Sequence, residues 1–480
     1  MSWKDIAEKV LNTCELAGAE YADVRIINKK REFYAQANGR LTTLTEENTL
    51  GLGVRVLMDG AWGFAAGADL STEGCRETAR KAVEVGRASA RVSPRKVQLG
   101  SPVVMVDSYQ TPLEIDPFQV SAGQKVDLLL EADQAMRQEP EIKATSSTME
   151  FILRDKFFAS SEGSCIQQKI VESGAGMTAT AVGSDDVQQR HFPTNLARQQ
   201  GTGGYEIIED LDLVGSAPRV ASEAVQLLSA KPCPSGTMDV IFDPTLLAHI
   251  LHEIAGHNTE LDRVFGAEAS YAGGSFATPE KLGSFQYASP DVTIYLDSTY
   301  PGGLGTFAYD DEGVPAQKRE VIQDGILVGY HSSRETAQRI GRESTGCMRA
   351  DGYNRYPIVR MTNIFLEPGE WDKEDLIADT RNGLYLGVNK SWSISKMRDR
   401  FQYSAEYGYE IKDGKLGPMV KNASFSGNTV EFWRSCDGVA NQDSFAVYGL
   451  PFCGKGEPWQ GGPVSHGCSP ARFRNVKVGG

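Results

Sequence analysis

What this chain lacks narrows its chemistry before any motif is considered. A basic excess is missing: 49 Lys and Arg face 63 Asp and Glu, for a net charge of −14. Nucleic acid and anionic membranes both demand a basic face, so neither is expected as the main partner. Nowhere is there an apolar run of the roughly eighteen residues needed to span a bilayer. The N-terminus, Met1-Ser2-Trp3-Lys4-Asp5, has no apolar export segment, so the cytoplasm is the expected location. The eight cysteines include no C-x-x-C pair. A chain this long does not need disulfide staples, so its thiols are expected to be reduced and free to bind metal. Histidine is also scarce, six in 480 residues.

Against that scarcity, His252-Glu253-Ile254-Ala255-Gly256-His257 stands out. A sequence of this composition produces H-E-x-x-x-H by chance in about one chain of two hundred. Two imidazoles beside a carboxylate are the parts needed to hold a zinc ion and activate a water, which points to a metallopeptidase. In the familiar H-E-x-x-H helix the histidines are four apart and share a face, whereas here they are five apart. At roughly 100° per residue they would diverge by about 140° on a regular α-helix. A single π-turn would bring them back together, and Gly256 is where a distortion is easiest. Upstream, Asp243-Pro244 reads as an N-cap and first helical residue. Leu246, Leu247, Ile250, Leu251 and Ile254 recur at helical spacing, so the motif ends a buried helix. His249 lies three residues before His252 and is a rival ligand.

The rest of the chain predicts an α+β fold, with an N-terminal mixed α/β region built on antiparallel sheets and a β-rich C-terminal domain carrying the metal-site helix. Helices are expected over residues 3–17, 71–90, 117–138 and 214–229. A strand meander runs from Tyr21 to Ala66, with a hairpin at Asp59-Gly60, and a further antiparallel sheet from Lys143 to Thr180. Lys231-Pro232-Cys233-Pro234-Ser235-Gly236 marks the main boundary. This gives domains at 1–230, divisible at 1–100 and 110–230, and at 236–480. The second half reads as short strands and Gly-rich turns, including Asp324-Gly325 and Asp413-Gly414. Its expected strands are 292–296, 321–330, 383–388 and 401–412.

A catalytic zinc usually takes three protein ligands. The candidates for the third are Glu260, Asp310, Asp311 and Cys453, with His466 or Cys468 as substitutes for the last. Residues 310–312 also read as a turn or as supporting carboxylates. Cys453 has the better chemistry, a thiolate in the Gly-containing loop Pro451-Phe452-Cys453-Gly454-Lys455-Gly456. Arg360 and Tyr403 are candidates to stabilise an oxyanion.

Over most of its length the sequence resembles the TldD/PmbA metalloproteases, and specifically the TldD-like, metal-binding branch. The resemblance rests on Gly51 to Phe64, His252 to His257, Asp310 to Pro315, Arg360-Met361-Thr362-Asn363 and Cys453-Gly454-Lys455. After the last of these the chain departs from the family's usual longer Gly- and Gln-containing segment. The resemblance implies one zinc per chain held by His252, His257 and Cys453, with Glu253 as general base. It also implies unfolded or modified peptides as substrates, held extended, and a dimer formed either with itself or with a PmbA-like subunit. Two other readings remain: a zinc hydrolase of small-molecule amides, and a non-catalytic, metal-stabilised peptide-binding or modulator subunit.

Overall fold

The computed structural model describes residues 2–195 and 198–479. Among these residues, eight strands form a mostly antiparallel sheet in the N-terminal part. The order is Ala61–Gly67, Arg40–Met58, Tyr21–Ala37, Ile142–Ser160, Cys165–Val182, Val106–Gln110, and both Val187–Phe192 and Gln199–Thr202 pair with Cys165–Val182. The expected meander supplies the first three. Its turns are Asn38-Gly39 (φ 52° and 74°) and Asp59-Gly60 (φ 49° and 76°), the left-handed geometry that suits a two-residue hairpin. The regions 1–100 and 110–230 share this one sheet, through the pairing of Tyr21–Ala37 with Ile142–Ser160. Each has its own apolar core. Helices Trp3–Leu16 and Thr72–Ala90 pack around Val24, Val54 and Val56, and helices Ala122–Met136 and Leu213–Ser229 around Phe151 and Met177. The helix expected from residue 117 begins at Ala122 because Ser121 caps it: Gln124 N–H donates to Ser121 Oγ, and Ser121 N–H to Gln124 Oε1.

The C-terminal part holds a second sheet that closes on itself. Asn382–Ile394 pairs with Gly236–Phe242, then come Ala471–Val478, Ser424–Asn428 and Arg400–Lys412, and the last pairs back with Asn382–Ile394. Closure leaves this ring without free edges. Beside it stands a six-stranded sheet that includes Ile294–Asp297, Ile364–Leu366 and Val464–Cys468. The motif helix, Pro244–Leu251, follows the ring strand Gly236–Phe242 after the single residue Asp243, whose carboxylate accepts from Thr245 N–H at 2.9 Å. It runs between the two sheets, against Asn382–Ile394 on one side and Val464–Cys468 on the other. That sandwiching explains why Leu246, Leu247, Ile250 and Leu251 are all fully buried.

Candidate metal centre

The helix changes its winding within the motif. Pro244–Leu251 is α-helical, His252–Gly256 is one π-turn closed by His257 N–H donating to His252 O, and His257–Thr259 is a 3₁₀ turn. The wider turn absorbs the five-residue spacing, and the two imidazole centroids lie 4.7 Å apart. Gly256 serves a different purpose from the one its sequence position suggests. Its φ of −58° and ψ of −60° are ordinary helical values. A Cβ there would collide with Met361 Sδ and come within 2.6 Å of Ile364 Cδ1. Glycine lets the turn pack closely against Met361 and Ile364 without displacing their side chains.

Cys453 reaches the same point from a distant loop. His252, His257 and Cys453, all buried, each offer a donor atom within 4.8 Å of the others. His257 Nε2 and Cys453 Sγ are 3.5 Å apart. A tetrahedral zinc with bonds of about 2.05 Å to nitrogen and 2.3 Å to sulfur sets that separation at about 3.6 Å, so this pair of donors fits the metal. Burial alone would raise the Cys453 thiol, but Arg360 and His257 outweigh it and hold it below its ordinary value. Arg360 also fixes the loop, donating to Cys453 O at 2.6 Å and to Gln460 O at 3.2 Å. Burial lowers His252 to about 4 against the pull of Glu253 and Glu260, leaving the ring neutral at pH 7, the state that binds metal.

The other candidate ligands lie outside this cluster. Glu260 stands behind it: its Oε2 is 2.9 Å from His257 Nδ1, 3.0 Å from Arg263 Nε and 3.4 Å from Lys455 Nζ. A carboxylate on the far nitrogen fixes the ring and directs the Nε2 lone pair forward. Lys455 is itself held by Asp262 Oδ1 and Val359 O, each at 2.6 Å. His466 takes the matching place behind His252, with its Nε2 2.6 Å from His252 Nδ1. Cys468 contacts Pro244 O instead. His249 packs against Trp392, with ring centroids 4.2 Å apart. Asp310 is the core of a turn, accepting from Glu312, Val314 and Met348 N–H. Asp311 and Glu312 pair with Lys156 and Arg55 of the N-terminal sheet. Arg360, a candidate oxyanion stabiliser, gives Nη1 and Nη2 to the backbone of the Cys453 loop and of Gln460, while its Nε has no partner among the described residues.

Glu253 is gripped from two sides. Trp392 Nε1 donates to its Oε1 at 3.1 Å, and Arg398 Nη1 to its Oε2 at 2.6 Å and its backbone O at 3.2 Å. Burial would raise this carboxyl, yet Arg398, followed by His257 and His252, holds it far below the usual carboxylate range. Sequence reasoning missed Trp392, Arg398 and Arg263. The first two sit 139 and 145 residues from Glu253, and no local pattern ties them to it. Arg263 offered a signal, its i, i+3 relation to Glu260.

Comparison with known proteins places three segments in one family: PmbA/TldA metallopeptidase domain 1 over residues 22–89, the central domain over 115–231 and the C-terminal domain over 235–480. A metalloprotease of Methanothermobacter thermautotrophicus is 34% identical over 96% of each chain. A zinc metalloprotease TldD homolog of Saccharolobus solfataricus is 22% identical over 98% of this chain and 99% of its own. The crystal structure of a putative modulator of a DNA gyrase from Thermotoga maritima superposes with a TM-score of 0.79 over the whole of both chains at 19% identity. That likeness speaks to the fold alone.

Proposed function

The chain belongs to the PmbA/TldA metallopeptidase family, and we propose that it is a zinc-dependent peptidase acting through His252, His257, Cys453 and Glu253. The observation that carries this reading is the 3.5 Å separation of His257 Nε2 and Cys453 Sγ, inside a three-donor cluster whose motif also supplies a carboxylate. When bound, zinc supplies Lewis-acid chemistry, polarising a carbonyl and making water a better nucleophile at neutral pH. The chain's own residues do the rest. Glu260 and His466 fix the tautomers of His257 and His252, so that each presents its Nε2 lone pair. Glu253 takes a proton from the attacking water and delivers it to the amide nitrogen as the C–N bond breaks. Unfolded or modified peptides, held extended, are the proposed substrates. Main-chain hydrogen bonding would make such capture largely independent of sequence. The proposed working form is a dimer, with a second copy or with a PmbA-like subunit. The proposed compartment is the reducing cytoplasm, a reading supported by eight cysteines that form no disulfide.

Metal content and hydrolysis of an unstructured peptide, measured on wild type, Glu253→Gln and Cys453→Ala, test this reading. We expect one zinc per chain in wild type and in Glu253→Gln, hydrolysis only by wild type, and zinc lost from Cys453→Ala. A fully active Glu253→Gln would remove the proposed base. Zinc-loaded wild type that cuts small amides but no peptide would favour a small-molecule hydrolase.

A further inference from the structure

Three buried polar atoms around Glu253 have no hydrogen-bond partner among the described residues: Arg398 Nε, Tyr403 Oη and His249 Nε2. They share one neighbourhood. The His249 ring lies 4.2 Å from Trp392 and 6.0 Å from Tyr403, and Trp392 and Arg398 both donate to Glu253. Orphaned buried donors are uncommon in native structures, and a cluster of them beside a reactive carboxylate points to a ligand that supplies acceptors. Arg398 is placed with unusual care. It lies in the turn between Asn382–Ile394 and Arg400–Lys412 with φ of +57°, a left-handed conformation costly for an arginine. Thr429 Oγ1 and Asn258 Nδ2, the latter next to His257, donate to its carbonyl at 2.6 and 3.4 Å and lock that turn. A guanidinium has five donor hydrogens in a rigid fork, and this one is 8% exposed.

Resting on the peptidase reading above, we propose that Arg398 is a catalytic residue: its unused Nε–H receives the carbonyl oxygen of the scissile peptide bond, and its hold on Glu253 loosens as it does so. The water oxygen bonds to the carbonyl carbon, and the C=O π pair moves to the carbonyl oxygen beside Arg398. The water's proton goes to Glu253, freed to accept it. Collapse re-forms C=O, the C–N bond breaks, and Glu253 returns the proton to the leaving nitrogen.

The test uses the full zinc-loaded chain, with Arg398→Gln and, as a charge-keeping variant that still pairs Glu253, Arg398→Lys. Zinc content, kcat and KM on an unstructured peptide, and affinity for a phosphinic peptide that mimics the tetrahedral oxyanion would be measured for each. Removing one oxyanion donor lowers kcat by about 10² to 10³. Arg398→Gln should show that loss with zinc retained and KM nearly unchanged, and phosphinic-peptide affinity should fall by a similar factor, with Arg398→Lys in between. If wild type cleaves and both variants keep wild-type kcat and phosphinic affinity, this inference fails while the peptidase reading stands. If kcat falls but phosphinic affinity does not, the role is structural and the inference also fails. Zinc-loaded wild type that neither cleaves peptide nor binds the phosphinic peptide overturns both.

Discussion

Substituting Glu260 by Gln tests whether the carboxylate behind His257 tunes metal affinity. Glu260 Oε2 is 2.9 Å from His257 Nδ1, 3.0 Å from Arg263 Nε and 3.4 Å from Lys455 Nζ, all in the protein interior. Burial works against ionisation here, but Lys455, His257 and Arg263 keep the carboxyl well below the usual range, so it is charged whenever zinc binds. The amide keeps an oxygen to accept from the ring and loses the charge that makes the ring a stronger donor. Loss of such a partner typically weakens metal binding about 10- to 100-fold, or about 1.4–2.7 kcal/mol. The metal-free protein should also lose stability. Breaking one side of a buried ion pair costs about 3–5 kcal/mol, and the low end applies because Lys455 keeps Asp262. Zinc affinity would be read by competition with a chromogenic chelator, and stability by thermal unfolding of the metal-free protein. Asp262→Asn is the control, since it touches Lys455 but not His257; it should reduce stability while leaving zinc affinity within about threefold. Glu260→Gln with wild-type zinc affinity would refute the orienting role.

Gly256→Ala sets two effects against each other. Alanine favours helix by about 1 kcal/mol, but its Cβ would strike Met361 Sδ and approach Ile364 Cδ1, and overpacking costs about 1–3 kcal/mol. A lower unfolding temperature with weaker zinc binding is expected; a stabilised variant would show that the turn moves freely from the sheet. Metal-free protein should also be acid-sensitive in the histidine range. Burial lowers His249, His252 and His331 to about 4 each, whereas unfolded histidine protonates near 6.5. Between those values the unfolded state binds more protons, so stability present above about pH 6.5 is lost as pH falls toward 4. The loss from pH 7.5 to 5.5 should be on the order of 4 kcal/mol for the three rings together. An unfolding temperature that stays flat across that interval would refute it.

Local chemistry was legible in the sequence, and long-range pairing was not. The five-residue spacing of His252 and His257 could share one metal only through a π-turn, and His252–Gly256 is one. Asp before Gly marked turns at Asp59-Gly60, Asp324-Gly325 and Asp413-Gly414 because that pair tolerates two successive positive φ values, whereas the Asn38-Gly39 turn was not read from the sequence. By contrast, no periodicity announces that Tyr21–Ala37 pairs with Ile142–Ser160, or that Gly236–Phe242 lies parallel to Asn382–Ile394 and closes a ring. The grip of Trp392 and Arg398 on Glu253 depends on that closure, since the hairpin carrying both is the one that seals it. Glu260 was legible as a metal-site carboxylate but not in its position behind the ring, because the backbone turns at Glu260 (φ −76°, ψ 110°) and a sequence does not report that angle.

The charges around the centre explain why so many cations gather where a metal cation is to bind. Arg263 and Lys455 meet Glu260 and Asp262, Arg398 meets Glu253, and Arg360 holds the Cys453 loop. With Cys453 as thiolate these four cations face four anions, and Glu268, which accepts from Gly456 N–H and acts on Arg263, is a fifth. Glu253 and Glu260 are thereby held in their charged form in the interior, where an unpaired carboxylate would instead take up a proton. A metal ion bound there would add its charge to a site whose own charges already largely offset one another. With a metal bound, its charge would favour negative charge developing there, and in a low-dielectric interior that preference would be strong. Neutralising Glu260 disturbs this balance at the rear of the site, behind His257, whereas changing Arg398 disturbs it at Glu253. The two substitutions should therefore separate, the first acting mainly on zinc affinity and the second mainly on kcat.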